Sequence, residues 1–225
     1  MIDALVVLAG GRSTRFGDRE KAVAKVAGAP MIVRVIDRLA SAVGRTVVNC
    51  RRDQRPVIAD ALGSRPVRFA IDPVADAGPV AGMATGLEAA ADAGATRALV
   101  VGCDMPGLDA ATACALAARL DGGDSDHNDS GGGHRDANDA TGGGGSDADA
   151  VVPVADGRRQ PLGAVYRVAP AVEACAAVRD DGPLTAVLDR LRTVEAAVPA
   201  EPFVSVDTPE AVAAAARRLG ERTGQ

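Results

Sequence analysis

The sequence has few of the side chains that many enzymes and nucleic-acid-binding proteins use. It contains no tryptophan, one tyrosine, three phenylalanines and two histidines in 225 residues. Both histidines, His127 and His134, fall in a glycine- and aspartate-rich stretch, so we expect none in the folded part. A catalytic serine–histidine or cysteine–histidine pair is therefore excluded there. The scarcity of aromatic rings also argues against stacking of single-stranded nucleic acid.

Cysteine pairs and long apolar runs are also missing. The four cysteines are widely spaced and form no C-x-x-C pair, which argues against a zinc site or a disulfide framework. The longest apolar run near the amino terminus covers residues 4–9. It is too short to cross a bilayer and lacks the basic start of a signal peptide. We therefore expect a cytoplasmic protein with no membrane interaction.

The acidity of the chain is concentrated in one segment. Residues 121–150 contain eight aspartates and one arginine, so the rest of a chain with net charge −5 carries about +2. This balance provides no strongly basic face, and we expect no nucleic-acid partner. The same segment contains nine glycines and little that could be buried. It predicts a disordered loop insertion within one domain that spans residues 1–225.

Outside the insertion, short β-branched runs alternate with alanine-rich helical patterns. We predict strands at residues 4–8, 46–48, 67–71, 98–101 and 150–154, and helices at 31–43, 80–93, 110–120 and 210–219. This alternation predicts an α/β fold with a mostly parallel sheet between two layers of helices. Ligands of such sheets bind where the strands end, so we expect functional residues just after Leu8, Val48, Ile71 and Val101.

A glycine-rich turn with cationic side chains follows the first predicted strand. Gly10 and Gly11 allow backbone N–H groups to approach phosphate oxygens, while Arg15 and Lys21 can neutralise a triphosphate. The glycine spacing fits neither the dinucleotide-binding fingerprint nor the P-loop. Although a plain turn with solvated arginines is the alternative, the combination of Arg15 and Lys21 favours a nucleotide-binding turn of another kind.

A carboxylate follows the strand predicted at residues 98–101. Asp104, fixed by Pro106, is well placed to bind Mg²⁺ together with phosphate oxygens. The alternative role, capping of the next helix, suits Asp109 better. Because the fold is expected to lack histidine, Cys103 is interpreted as a packing residue.

Three further motifs are less specific. The G-P-V-A-G run from Gly78 to Gly82 predicts either a helix amino terminus that faces a base or phosphate, or a tight loop. Residues 158–160, Arg-Arg-Gln, lie either near an anionic acceptor or in solvent. Asp207 is either a second metal ligand or part of a helix cap.

Together these motifs resemble the molybdenum cofactor guanylyltransferase family of glycosyltransferase-A-like nucleotidyltransferases. The matching pieces, in chain order, are L-A-G-G-R-S-T-R-F-G with Lys21, V-V-N ending at Asn49, Asp72, G-P-V-A-G, C-D-M-P, Q-P-L-G-A-V-Y and D-T-P-E. The resemblance implies a single-domain, Rossmann-like three-layer sandwich. It also implies the following GTP-contacting residues: Leu8, Ala9, Gly10, Lys21, Asn49 and Asp72. The resemblance further implies that Asp104 binds Mg²⁺ and that the adjacent glycines Gly10 and Gly11 suit guanine.

The activity that the resemblance implies is Mg²⁺-dependent transfer of GMP from GTP to the phosphate of molybdopterin, with release of pyrophosphate. The attacking oxygen is already anionic, so no general base is needed, in agreement with the missing histidine. Arg15 and Lys21 would offset charge on the departing pyrophosphate. The expected partners are GTP, a molybdopterin-type acceptor and, transiently, cofactor-synthesis proteins and recipient enzymes.

Two alternatives stay open at this point. One is a guanylyl- or cytidylyltransferase for another phosphorylated acceptor, such as adenosylcobinamide phosphate or a sugar phosphate. The other is a non-catalytic nucleotide-binding partner in cofactor delivery. Asp207 stands where the family usually has Asn, which leaves the second metal ligand open.

Overall fold

The computed structural model describes residues 1–11, 20–122 and 147–222, and in these ranges the chain forms ten strands and seven α-helices. The strands are β1 (Ile2–Leu8), β2 (Lys25–Val26), β3 (Ala29–Pro30), β4 (Val43–Cys50), β5 (Arg68–Ile71), β6 (Arg97–Gly102), β7 (Ala150–Ala155), β8 (Arg158–Arg159), β9 (Ala164–Arg167) and β10 (Thr193–Ala197). The helices are α1 (Met31–Leu39), α2 (Arg55–Leu62), α3 (Pro79–Asp92), α4 (Ala110–Leu120), α5 (Val168–Ala176), α6 (Leu184–Leu188) and α7 (Pro209–Arg222). Arg15, His127 and His134 lie outside the described residues.

The central sheet has the strand order β10-β7-β9-β6-β1-β4-β5, with β8 paired to β7. β9 runs antiparallel to β6 and β7, whereas β10, β7, β6, β1, β4 and β5 all run in one direction. From β1 the chain continues to β4 on one side and later to β6 on the other. β1 therefore lies at a topological switch point, where α/β sheets commonly bind ligands beyond the carboxyl ends of the strands.

Both faces of the sheet are covered by helices. Leu5 and Val7 of β1 pack with α1, α2 and α4, while the intervening Ala4 and Val6 pack with α3, α5 and α6. Because successive side chains of a strand point to opposite faces, a continuous apolar run such as that of β1 suits a sheet buried on both sides. The predicted three-layer α/β sandwich with a mostly parallel sheet is confirmed.

Some predicted bounds were wrong. The helix predicted over residues 31–43 ends at Leu39, and Val43 begins β4, where it pairs with Ile2. The alanine-rich residues before it suit a helix, but the Ile2 N–H donates to the Ala42 carbonyl at 3.1 Å, and sheet pairing overrides helix propensity. The sequence did not predict α2, α5, α6 or the short strands β2, β3, β8 and β10.

The predicted insertion at 121–150 extends too far at both ends. Asp121 accepts hydrogen bonds at 2.6 and 2.8 Å from Arg97, at the start of β6. The buried Asp149 accepts from the Arg192 backbone N–H at 3.0 Å and from its guanidinium at 2.9 and 3.0 Å. Both anchors lie at the edge from which β6, β7 and β10 start. Residues 123–146, between them, lie outside the described ranges.

The last described helix packs near the amino-terminal segment. Val26, Met31 and Val206 form a small core against which apolar residues of α7 pack. The Thr208 hydroxyl accepts from the Ala211 N–H at 3.2 Å and so caps this helix. Across residues 1–11, 20–122 and 147–222, no helix combines the length and apolar character that a membrane span requires.

Candidate active site

A cleft of about 500 Å³ lies at the edge of the sheet where β1, β4, β5 and β6 end. Ten residues predicted from the sequence line it: Leu8, Ala9, Gly10, Gly11, Lys21, Asn49, Asp72, Gly78, Gly82 and Asp104. The other lining residues are Asp76, Ala77, Pro79, Gly102, Cys103, Leu162 and Leu184. The structure thus brings together residues from seven separate stretches of sequence, although Arg15 lies outside the described residues.

An amide and a carboxylate form one end of this cleft. Asn49, the penultimate residue of β4, is 1% exposed, and its Nδ2 donates to Asp72 Oδ1 at 2.6 Å and to the Ala70 carbonyl at 3.3 Å. Asp72 follows β5, and its N–H donates to the Cys50 carbonyl at 3.1 Å. Burial raises the pKa of the Asp72 carboxyl, although the Asn49 hydrogen bond acts in the opposite direction.

Glycines allow this pair to approach the surrounding backbone closely. A Cβ atom on Gly10 would lie 2.8 Å from Asp72 Oδ2, and one on Gly82 would lie 2.8 Å from Asn49 Oδ1. Gly78, at the start of α3, has a φ of +119°, a conformation that favours glycine. Gly78 therefore requires glycine, whereas a Cβ at Gly10 or Gly82 would displace the Asp72 or the Asn49 side chain.

The amino terminus of α3 is less available to an anion than its motif suggested. Pro79 has no N–H, and the Val80 N–H donates to the Asp180 carbonyl at 3.2 Å. The Gly82 N–H donates back to Gly78 within the helix at 3.2 Å. Close packing against Asn49 is therefore the main contribution of this helix start to the cleft wall.

The other end of the cleft is ionic. The Lys21 Nζ donates to Asp104 Oδ2 at 2.5 Å and also to Asp207 Oδ1. Burial disfavours the charged ammonium, but the charges and hydrogen bonds of the two carboxylates outweigh it and raise the pKa of Lys21. The Val206 N–H donates to the Asp104 carbonyl at 2.9 Å, so the carboxy-terminal segment is fixed beside Asp104.

The donor set at this end fits a divalent cation. Two carboxylates, Asp104 and Asp207, already converge on one positive charge, that of Lys21. Mg²⁺ binds through one or two carboxylates plus phosphate oxygens and water. In the part of the chain that the structure describes, no group of three or more histidines, cysteines or carboxylates could hold a metal ion. A metal at this site would therefore need ligands from a bound substrate or from water.

Comparison with known proteins agrees with this geometry. The family model described as the MobA-like NTP transferase domain matches residues 5–195. This chain belongs to the MobA-like NTP transferase family. It is a nucleotidyltransferase, and the relatives described next connect it to molybdenum cofactor biosynthesis.

Individual relatives support the same assignment. A probable molybdenum cofactor guanylyltransferase of Natronomonas pharaonis is 38% identical over 224 residues, which cover 95% of this chain and 96% of the relative. Molybdopterin-guanine dinucleotide biosynthesis protein A from Archaeoglobus fulgidus has a TM-score of 0.66 at 19% identity, covering 97% of this chain and 99% of that one. A manganese complex of Rv0371c from Mycobacterium tuberculosis has a TM-score of 0.63 at 16% identity, covering 98% and 99%. The two solved structures share the fold.

Within this nucleotidyltransferase, Cys103 is a packing residue, as the sequence indicated. Its thiol is buried, and burial raises its pKa far above the ordinary value, so it stays protonated. The Cys103 N–H donates to the Leu8 carbonyl at 3.0 Å and joins the ends of β1 and β6. Beside it, a Cβ on Gly102 would collide with the Asp104 carboxylate.

The Q-P-L-G motif of this nucleotidyltransferase reaches the cleft through Leu162, whereas Arg158 and Arg159 are not among the lining residues. Arg159 donates to Asp189 at 2.6 Å. The buried Tyr166 hydroxyl donates to the Pro161 carbonyl at 2.7 Å and fixes the loop before Leu162.

Sequence reasoning missed two side chains behind the glycine turn of the nucleotidyltransferase. The Gln54 Nε2 donates to the Ala9 carbonyl at 3.0 Å, and the Arg51 Nη1 donates to the Gly10 carbonyl at 2.6 Å. Gln54 is only 2% exposed. The surrounding run R-R-D-Q-R is typical of an exposed charged loop, and no local signal indicates a buried glutamine.

Proposed function

We propose that this nucleotidyltransferase transfers GMP from GTP to the phosphate of a molybdopterin-type acceptor in a Mg²⁺-dependent reaction that releases pyrophosphate. The observation that carries the proposal is the pairing of two unlike ends in one cleft. A hydrogen-bonded polar pair, Asn49 and Asp72, stands at one end, and Lys21 between two carboxylates stands at the other. The relatives named as guanylyltransferases support GTP as the donor and molybdopterin as the acceptor.

At the Asn49–Asp72 end, we propose that both side chains face the nucleoside. Guanine presents an N1–H and a 2-amino group as adjacent donors, and a carboxylate is the acceptor that best satisfies two parallel donors. The glycines Gly10 and Gly11 leave room for a base beside this pair. Binding such a donor-rich base would also offset the burial that raises the pKa of Asp72.

At the ionic end, the acceptor phosphate oxygen would attack the α-phosphorus of GTP. A new P–O bond forms there, and the bond from the α-phosphorus to the oxygen that bridges to the β-phosphorus breaks, so that pyrophosphate departs with the bonding electrons. The nucleophile is already anionic, which agrees with the absence of histidine from the described residues. Lys21 would offset charge on the phosphates as the bond breaks.

Asp104 and Asp207 are the residues that would hold Mg²⁺. When bound, the ion would supply Lewis-acid polarisation of phosphate oxygens. The manganese complex of a structural neighbour supports a divalent cation in this fold. Arg15 stays a prediction as a second cation. We also expect the reaction to take place in the cytoplasm, with transient contacts to cofactor-synthesis proteins and recipient enzymes.

The test is a pyrophosphate-release assay with the purified chain, Mg²⁺ and each of the four NTPs. Molybdopterin, adenosylcobinamide phosphate and a sugar 1-phosphate are supplied in turn as acceptors. We expect pyrophosphate and a guanylylated product only with GTP and molybdopterin. Preference for CTP, or transfer to one of the other acceptors, would show a different nucleotidyltransferase. Nucleotide binding without any transfer would indicate a delivery protein.

A further inference from the structure

Gln54 is a buried polar side chain that lies behind the glycine turn of the cleft and makes several hydrogen bonds there. It directly precedes α2 and is 2% exposed. Its Nε2 donates to the Ala9 carbonyl at 3.0 Å and to both carboxylate oxygens of Glu20 at 2.8 Å. Its Oε1 accepts from the Arg51 N–H at 2.9 Å. The amide is therefore fully engaged, as a buried amide must be.

The partners of Gln54 belong to two separate pieces of the site. Ala9 lines the cleft just after β1, next to Gly10, whereas Glu20 directly precedes Lys21, which contacts Asp104. Arg51 makes a second connection of the same kind. Its Nη1 donates to the Gly10 carbonyl at 2.6 Å, and its Nη2 lies 4.0 Å from Glu20 Oε2. The side chains of Gln54 and Arg51 thus connect the glycine turn to Glu20, the residue before Lys21.

We propose that Gln54 is a positioning residue that sets the separation between Gly10 and Lys21 in the nucleotide cleft. The inference rests on the proposed function, because it assumes that a nucleoside triphosphate lies along these residues. Gln54 itself does not line the cleft, so it acts through the backbone of Ala9 and the side chain of Glu20.

Packing alone does not explain a glutamine at this position. An apolar side chain of similar size would fill the same space without burying an amide that must be satisfied. The hydrogen bonds of Gln54 instead fix two segments that have to meet one ligand. Because small misplacements of binding groups reduce affinity and rate, this distance matters for function.

The test is Gln54→Leu, with the dissociation constant measured by calorimetry for the NTP that the unaltered chain binds best, in the presence of Mg²⁺. We expect the dissociation constant to rise about 10-fold, as for a lost buried hydrogen bond, while the acceptor KM stays within about twofold. Ile58→Val, in the helix that Gln54 precedes, is the matched control. It removes a buried methyl group and should leave nucleotide affinity within about twofold.

A rescue pair separates positioning from general damage. Gln54→Glu places a carboxylate against Glu20 and removes the donor, so we expect a larger loss of affinity than with leucine. Adding Glu20→Gln supplies a donor across the same contact. The double variant should have a dissociation constant at least about threefold lower than that of Gln54→Glu alone. If Gln54→Leu does not fold, Glu20→Ala breaks the contact from its other side and should raise the same dissociation constant.

Unchanged nucleotide affinity in Gln54→Leu, or in Glu20→Ala when that variant replaces it, would overturn the inference, as would a double variant with no recovery. If the unaltered chain prefers CTP, the GMP assignment fails while the role of Gln54 is tested with CTP. If the unaltered chain binds no NTP at all, both proposals are overturned.

Discussion

At one end of the cleft Asn49 and Asp72 are held by hydrogen bonds and closely approached by glycines, whereas at the other end Lys21 lies between the carboxylates of Asp104 and Asp207. The first end is defined by close packing around an amide that is 1% exposed. The second is defined by ion pairs. Charge matters most where bonds break, so we expect changes at the ionic end to act on rate and changes at the Asn49–Asp72 end to act on nucleotide affinity.

The largest effect expected at the ionic end comes from Asp104→Asn. The substitution keeps the shape but removes the charge that we assign to metal binding, so kcat/KM should fall about 10²–10³-fold. Steady-state kinetics, with thermal unfolding as a check on folding, measure it. Asp60→Asn, at an exposed aspartate of α2, is the control and should behave like the unaltered chain. Ordinary activity in Asp104→Asn would contradict the assignment.

Lys21→Met should lower kcat about 10²-fold, because a cation beside the departing phosphates is lost. The same variant should bind Mn²⁺ more tightly in the absence of nucleotide, since the ammonium no longer neutralises Asp104 and Asp207. Electron paramagnetic resonance of free Mn²⁺ gives that affinity. The other lysine of the chain, Lys25, is exposed, and Lys25→Met should change neither quantity. Unaltered Mn²⁺ binding in Lys21→Met would disprove competition between the two cations.

At the Asn49–Asp72 end, Gly82→Ala should raise the GTP dissociation constant about 10-fold with a much smaller change in kcat. The added Cβ would lie 2.8 Å from Asn49 Oδ1, so the amide has to move from its position beside Asp72. Alanine is also the better helix former, so loss of α3 is not an alternative explanation. Glu88→Ala, exposed on the same helix, is the control. A fall in kcat with unchanged affinity would remove the distinction between the two ends.

The smallest effect concerns stability and pH. Burial raises the pKa of Asp72, so the folded chain holds this proton more tightly than the unfolded chain. Stability should therefore decrease as pH rises from about the ordinary value of 3.8 through the raised value. Asp72→Asn removes this loss, so its unfolding temperature should exceed that of the unaltered chain above this window but not below it. A constant difference at all pH values would argue against the raised pKa.

The sequence predicts best what is encoded locally. The apolar run of β1, the glycines after it and the aspartate after β6 are each recognisable within a few residues, and parallel strands bring their carboxyl ends to one edge. Neither the antiparallel insertion of β9 between β6 and β7 nor the start of β4 at Val43 has such a local signal. Both depend on pairing with distant strands.

The contacts between distant residues could not be predicted from residue patterns alone. Lys21 and Asp207 are 186 positions apart, and their contact depends on the docking of α7 against Val26 and Met31. Gln54 is a stronger example, because it is surrounded in sequence by charged residues and is nevertheless buried. Burial of a polar side chain follows from its hydrogen-bond partners, which only the folded chain reveals.

The ion pairs of Asp121 with Arg97 and of Asp149 with Arg192 have a consequence for evolution and for engineering. They hold both junctions of the acidic segment at the edge of the sheet opposite the cleft. We therefore expect residues that are gained, lost or exchanged between Gly122 and Asp147 to leave catalysis unaffected. A reporter domain inserted between these junctions should therefore leave kcat unchanged.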